Sequence, residues 1–216
     1  MRTVALDIET MADETAKLPP VDVKLGNIKD KAKIAAKVAA AEAKQREKMA
    51  LDPTTGTIVC IGMVDDTGWE SAFVVHGEQT ERRAIEHCLP LITDYRTRLL
   101  TWNGMEFDVP YIYKRALMLG ITPPIPLPDL TRRYQTTRHV DLMQVWCGWR
   151  GFAGLNAVAG ALLGQWKKEI DFKQFPRLLK TEAGRAKIGE YCLHDTRLVL
   201  GLHGKMSGVL YENEPN

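Results

Sequence analysis

Apolar and β-branched residues gather in short runs along most of the chain, and one long stretch breaks the pattern. Thr3 to Ile8 is the first such run and predicts a strand. From Asp13 to Pro53 the sequence is instead rich in Ala and Lys and poor in aromatic residues. There "LPPVD" reads as a linker. "DKAKIAAKVAAAEAKQREKMAL" is strong helix former throughout, with Asp30 as N-cap and "DP" at its end. Its apolar stripe of Ile34, Val38 and Ala41 is thin, so residues 13–53 are expected to form a helical insertion on the outside of a sheet domain.

Beyond the insertion, "TIVCIGMVDD" and "WESAFVVHG" read as two strands joined through "DTG". "EQTERRAIEHCLPLITDY" has helical periodicity, and "RLLTWNG" is another apolar strand ending in a turn. "DVPYIYKRALMLG" predicts a helix closed by Gly120. "ITPPIPLPDL" carries too much proline for anything but a loop. "HVDLMQVW" reads as a strand running into a helix, "GLNAVAGALLG" as a short buried helix, and "KTEAGRAKIGEYCLHDTRLVLGLHGKM" as one long helix or two. Strands that begin as a meander and then alternate with helices predict an α/β domain with a mixed central sheet flanked by helices.

Composition narrows this only a little. The chain of 216 residues suffices for one compact domain, 1–216, that includes the 13–53 insertion and buries its core without disulfides. Hydrophobic residues make up 45% and charged residues 26%, ordinary for a soluble globular protein. A net charge of +2 neither demands nor excludes nucleic acid, because a local patch matters more than the total. Cys60, Cys88, Cys147 and Cys192 form no CxxC pair, which argues against a zinc cluster; they read as small reduced hydrophobes. No apolar run approaches a membrane span, and "MRTVALDIET" turns acidic too early for a signal peptide. The expectation is a cytoplasmic protein with no membrane partner.

The candidate chemistry is carboxylate. In a strand, residues two apart point to one face about 6.6 Å apart. Asp7 and Glu9 therefore share a face, with Leu6 and Ile8 on the other. Two adjacent carboxylates raise each other's pKa and stay ionised only beside positive charge. A divalent cation such as Mg²⁺ or Mn²⁺, which prefers oxygen ligands, is the natural partner. On these two residues alone, a solvent-exposed strand end is the commoner explanation. Asp108, in "TWNGMEFDVP", follows an apolar strand and opens a helix, where an N-cap is the usual role. Asp195 and Tyr191, in "IGEYCLHDTRLVL", are four apart and so share a helix face. His194 adjoins Asp195 in sequence but lies off that face.

Together the three segments resemble the exonuclease motifs of the DnaQ-like (DEDD) 3′–5′ exonuclease superfamily. "DIE" (Asp7, Glu9) matches the first. "NGMEFD" (Asn103, Phe107, Asp108) matches the second, with the gap seen in proofreading domains of family-B DNA polymerases. "YCLHD" (Tyr191, Asp195) matches the third in its tyrosine form, since Glu190 stands where the other subclass carries histidine. "GLNAVAGALLG" also resembles a segment of family-B exonucleases. The likeness covers most of residues 1–12 and 57–210, and the inserted helix is the main departure.

The resemblance implies a ribonuclease H-like fold and two divalent cations, Mg²⁺ or Mn²⁺. Asp7 would bridge both ions, Glu9 and Asp195 would complete the first site, and Asp108 would hold the second. Tyr191 would align the attacking water. The product would be a nucleoside 5′-monophosphate cut from the 3′ end of single-stranded or frayed DNA. Thr10 and Met11 would line the terminal-base pocket. Asn103 and Phe107 either shape that pocket or, respectively, cap a turn and fill the core. Lys167 and Lys168 could touch phosphate but read better as a solvated loop. Asp129, Asp141 and His139 are expected to be structural, pairing Arg115 or Arg138.

Three rival readings remain at this level. One is an RNA 3′–5′ exonuclease, another a catalytically inactive nucleic-acid-binding module, and the third a small acidic metal-binding domain. No polymerase segment is evident in the sequence, so the expectation is an enzyme acting alone or with a separate polymerase.

Overall fold

A computed structural model describes residues 1–76 and 80–212. Strand β1, Arg2–Ala12, is followed by helix α1, Lys31–Lys48. The β2–β3 hairpin, Gly56–Asp65 and Glu70–Val74, precedes α2, Glu81–Thr93, and β4, Thr97–Thr101. Then come α3 (Asp108–Met118), α4 (Pro128–Thr131), β5 (His139–Asp141), α5 (Leu142–Cys147), α6 (Leu155–Leu163), α7 (Phe175–Leu178) and α8 (Glu182–Met206). The five strands form one sheet in the order β3-β2-β1-β4-β5. β1–β4 and β4–β5 are parallel and β2–β3 is antiparallel, so the sheet is mixed, as the sequence pattern predicts.

The chain forms two compact units, one of Met1–Glu9 with the chain from Ile58 onward, the other Thr10–Thr57. In the first, alternation along β1 sends Val4, Leu6 and Ile8 into a core with Ala84, Ile85 and Ile92 of α2 and Val109 and Ile112 of α3. Ala5 faces the opposite side and packs with Leu155 and Val158 of α6 and Leu198, Val199 and Leu202 of α8. The sheet is thus covered on both faces. Each fully buried Val, Leu or Ile contributes about 1.5–3 kcal/mol. Asp7 and Glu9 have the parity of Ala5, which places them on the α8 side. The hairpin turn is fixed by Asp65, whose Oδ1 accepts the Thr67 and Trp69 amides at 2.9 Å, while Gly68 supplies φ +88°.

In the second unit, Asp30 caps α1 by accepting from the amides of Ala32 and Lys33, and no α1 residue is fully buried. Ile34, Val38 and Ala41 are half-buried. The thin stripe read from the sequence therefore corresponds to a helix that contributes little to a core.

Three local expectations are refined, and one short helix is new. The first strand runs to Ala12 rather than ending at Ile8. The Pro-rich segment leads into helix α4, because Pro128 occupies the first turn, where its missing N–H costs nothing. Pro176 does the same in α7, which the sequence pattern did not reveal. The carboxy-terminal helical stretch is one helix, capped by Thr181 through the Gly184 amide. Gly120 follows α3 at φ +69°, as its closing role requires. Gly77, at the end of the predicted third strand, and Glu78 and Gln79, at the start of the predicted α2 stretch, lie outside the described residues.

Candidate active site

β1, the start of α3 and the middle of α8 bring four carboxylates into one electrostatic cluster. Glu9 is buried and Asp7 half-buried. Asp108 does not cap its helix: Phe107 holds the cap position, with no side-chain capping bond. Asp108 instead reaches across to β1, where its Oδ1 accepts the Ile8 amide at 3.0 Å. That bond ties the second acidic segment to the backbone between Asp7 and Glu9. Asp195 is fully buried on α8, and Tyr191, one turn earlier, is buried beside it.

The electrostatics follow from that crowding. Burial, reinforced by Glu9, Asp108 and Asp195, holds the Asp7 carboxyl well above the usual range. Burial and Asp195 push Glu9 up to about 8. Burial raises Asp108 to about 7 against the pull of its hydrogen bonds. Asp195 is also raised by burial, although Lys167 opposes the shift. The Lys167 ammonium lies 2.6 Å from Asp195 Oδ2 and 5.5 Å from the Tyr191 ring centre. Burial, and then the charge of Asp195, raises the Tyr191 phenol, which therefore stays protonated.

The donor set fits divalent cations. The buried Asp195 carboxyl faces the Lys167 ammonium through Oδ2, so the site already accommodates positive charge. Once ionised, four carboxylates outnumber that one ammonium, and oxygen donors suit Mg²⁺ or Mn²⁺. Ligand atoms of Asp7, Glu9 and Cys192 lie within 4.8 Å of one another.

Two residues here depart from their sequence reading. Lys167 is not part of a solvated loop. Its amide donates to Asn156 Oδ1 at 2.8 Å, and this anchor directs the side chain onto Asp195. Lys168 alone stays on the surface, paired with Glu190. Cys192 is more than a small hydrophobe, because its thiol approaches Asp7 O at 3.4 Å and Oδ2 at 3.7 Å. Adjacency to Tyr191 is the one signal for Cys192; Lys167 is marked in the sequence as a phosphate candidate, but nothing there marks its pairing with Asp195.

The remaining candidates fall as follows. Asn103 takes φ +68°; its amide donates to Asp141 Oδ1 at 2.9 Å and its carbonyl accepts from Phe107 N at 3.0 Å. It shapes the turn that delivers Asp108. Phe107 is half-buried against the core, 5.5 Å from the Tyr111 ring. Thr10 and Met11 continue β1, half-buried, in the second unit. Asp141 is structural, but its partners are the amides of Asn103, Met105 and Met143 rather than arginine. Arg115 pairs with Glu81 at 2.5 Å, and Arg138 donates to Thr93 O. His139 bridges Thr101 Oγ1 and Leu130 O, with burial pushing its pKa down to about 4. Asp129 sits in the first turn of α4. His194 is held by the Trp166 carbonyl at 2.8 Å. Among the described residues, no helix is long and apolar enough to cross a membrane.

Comparison with known proteins agrees with this architecture. DNA polymerase 1 of Sulfurisphaera ohwakuensis is 33% identical over 132 residues, covering 53% of this chain and 15% of that protein. DNA polymerase 1 of Sulfolobus acidocaldarius is 32% identical over 136 residues, covering 57% and 15%. The chain therefore spans 15% of the length of these relatives. The solved family B DNA polymerase of Pyrobaculum calidifontis matches 95% of this chain and 24% of its own, with a TM-score of 0.62 at 20% identity, which shows a shared fold. Residues 46–202 match the RNase_H_2 family, and on that match, together with the sheet just described, the chain belongs to the RNase_H superfamily.

Proposed function

We propose that the protein is a metal-dependent 3′–5′ exonuclease that shortens single-stranded or frayed DNA and releases nucleoside 5′-monophosphates. One observation carries this reading. Asp7, Glu9, Asp108 and Asp195 act on one another in a single site beside the Tyr191 phenol, on a nuclease-type fold. The likeness to DNA polymerases supports DNA as the polymer.

Asp7, Glu9, Asp108 and Asp195 would hold two Mg²⁺ or Mn²⁺ ions. When bound, such ions neutralise the phosphate and lower the pKa of the attacking water. The protonated Tyr191 hydroxyl orients that water toward phosphorus. A water oxygen–phosphorus bond forms, the phosphorus–O3′ bond breaks, and the departing 3′-oxygen ends as a hydroxyl. Lys167 would supply a positive charge beside the reacting phosphate. An open cleft of about 860 Å³, lined by Trp166, Lys167, Phe172 and Tyr191 among others, offers the strand a path to the site.

The test uses 5′-labelled DNA and RNA oligonucleotides with Mg²⁺, Mn²⁺ or EDTA. Stepwise shortening from the 3′ end that stops in EDTA is expected, with DNA preferred. No shortening of either polymer in either metal sinks the enzymatic reading.

A further inference from the structure

A smaller cavity of about 220 Å³ lies against the turn that leads to Asp108 and plays no part in the chemistry above. Met105, Tyr134, Asp141, Gln144, Val145 and Trp149 contribute to its lining. It is smaller than the pockets of about 300–1,000 Å³ that take drug-sized ligands, which suits a single ring system. Two features mark it as built to receive something.

Tyr134 holds φ +63°, a conformation that favours glycine, and strain of this kind gathers at ligand sites. Tyr134 is nonetheless 78% exposed, its ring centre 4.8 Å from that of Trp149 at a 60° tilt. Arg132 and Arg133 precede Tyr134 directly, Arg150 follows Trp149, and all three are exposed; Arg133 reaches Glu106 at 3.4 Å. Arginines beside accessible ring faces are what a single strand requires, charge for phosphate and ring faces for bases. The Asp141 oxygens already accept backbone amides, and their negative charge disfavours phosphate inside the cavity.

The place is also right. Asp141 ends β5, beside the carboxyl end of the parallel strand β4, and it holds the Asn103–Met105 turn from which Asp108 follows. Its charge is felt at Asp108.

We infer that this cavity is a base subsite for single-stranded nucleic acid, in which a nucleotide internal to the reacting 3′ end stacks on Tyr134 and Trp149. Every nucleobase has a π-face, so the site tolerates sequence. The inference rests on the exonuclease reading for the identity of the strand.

The test places 2-aminopurine at successive positions of a DNA oligonucleotide bound to full-length Asp7→Ala protein. Quenching confined to one internal position is expected. It should be lost in Tyr134→Ala and Trp149→Ala, with affinity falling by about 5–150-fold for each. Tyr134→Phe should keep both signals. Tyr134→Gly is the control for folding, because it relieves the backbone and should melt no lower than its parent while losing the quench. Quenching and affinity unchanged in Tyr134→Gly and Trp149→Ala would overturn the subsite, even if wild-type protein shortens DNA normally. Absence of any single-strand binding by the parent would overturn the subsite too. The separate cleavage assay then reports whether the exonuclease reading falls with it.

Discussion

Glu9→Gln separates the charge of Glu9 from its shape, and its effect on metal-free stability should depend on pH. Burial first, then Asp195, raises the Glu9 carboxyl from its ordinary 4.5 to about 8, with Lys167 opposing. A carboxyl raised in the folded state lends stability below its unfolded pKa, and that stability is lost as pH climbs through the folded value. From 4.5 to about 8, at about 1.36 kcal/mol per pH unit, the loss approaches ~5 kcal/mol. Asp7, Asp108 and Asp195 titrate in the same cluster and share the effect, so about 2–5 kcal/mol belongs to Glu9. For a chain of this length that is a change in Tm of roughly 4–20 °C. Thermal melts in EDTA from pH 5 to pH 9 measure it. Wild-type Tm should fall steeply as pH rises, and Glu9→Gln should fall much less. The two should nearly coincide at pH 5, where Glu9 is neutral. Added Mn²⁺ should reverse the wild-type trend, because ligation takes the deprotonated acids. Parallel pH curves for the two proteins would refute the claim that Glu9 is crowded by like charge.

Tyr191→Phe keeps the ring against Phe172 and removes only the hydroxyl, so turnover should drop by about 10²–10⁴-fold with strand affinity nearly unchanged. His194→Ala, which loses a bond to the Trp166 carbonyl, should cost far less; the reverse order in a steady-state assay would reject the tyrosine assignment. Replacing the exposed Lys33, Lys37 and Lys44 of α1 with Gln should weaken single-strand binding and flatten its log–log salt slope by about 0.7 for each phosphate no longer neutralised. Unchanged affinity and slope would leave α1 without a role in holding the strand.

The acids are legible in the sequence because local periodicity fixes where they point. Alternation puts Asp7 and Glu9 on one face, and a four-residue step puts Tyr191 with Asp195. The pairing of Lys167 with Asp195 is not legible, because the two lie 28 positions apart and no periodicity links a loop to a helix. Cys192 reads as a hydrophobe because its polar neighbour, Asp7, is 185 positions distant. The partners of Asp141 are hidden for a related reason. A lone Asp near arginines suggests an ion pair, yet β5 delivers it onto the amides of a turn, and Arg115 is taken by Glu81. Proline misleads in the other direction. It reads as excluding helix, although at the first turn of α4 and α7 it is compatible with one.

One glycine connects packing to the site. A Cβ at Gly62, in β2, would lie 2.7 Å from Cys192 Sγ and 3.2 Å from the Cys192 carbonyl carbon and oxygen. α8 therefore comes so close to the sheet that only glycine fits beneath Cys192. Gly189 on the helix side is nearly as tight, with Ala72 and Val74 at 3.3 Å from its would-be Cβ. Cys192 lies between Tyr191 and Asp195 in sequence, so displacing it displaces both from the β1 acids. Gly62→Ala should cost about 1–3 kcal/mol of stability through overpacking. Its cost in turnover should be larger, because a misplacement of about 1 Å at a reacting centre can lose 10²-fold. Gly62→Ala combined with Cys192→Ala removes the nearest clash but leaves the backbone contact, so activity should recover in part. Turnover and the Mn²⁺-induced rise in Tm measure the two effects separately. If Gly62→Ala keeps full turnover and an unchanged rise in Tm, the close approach of α8 is not what sets the distance between Asp195 and Asp7.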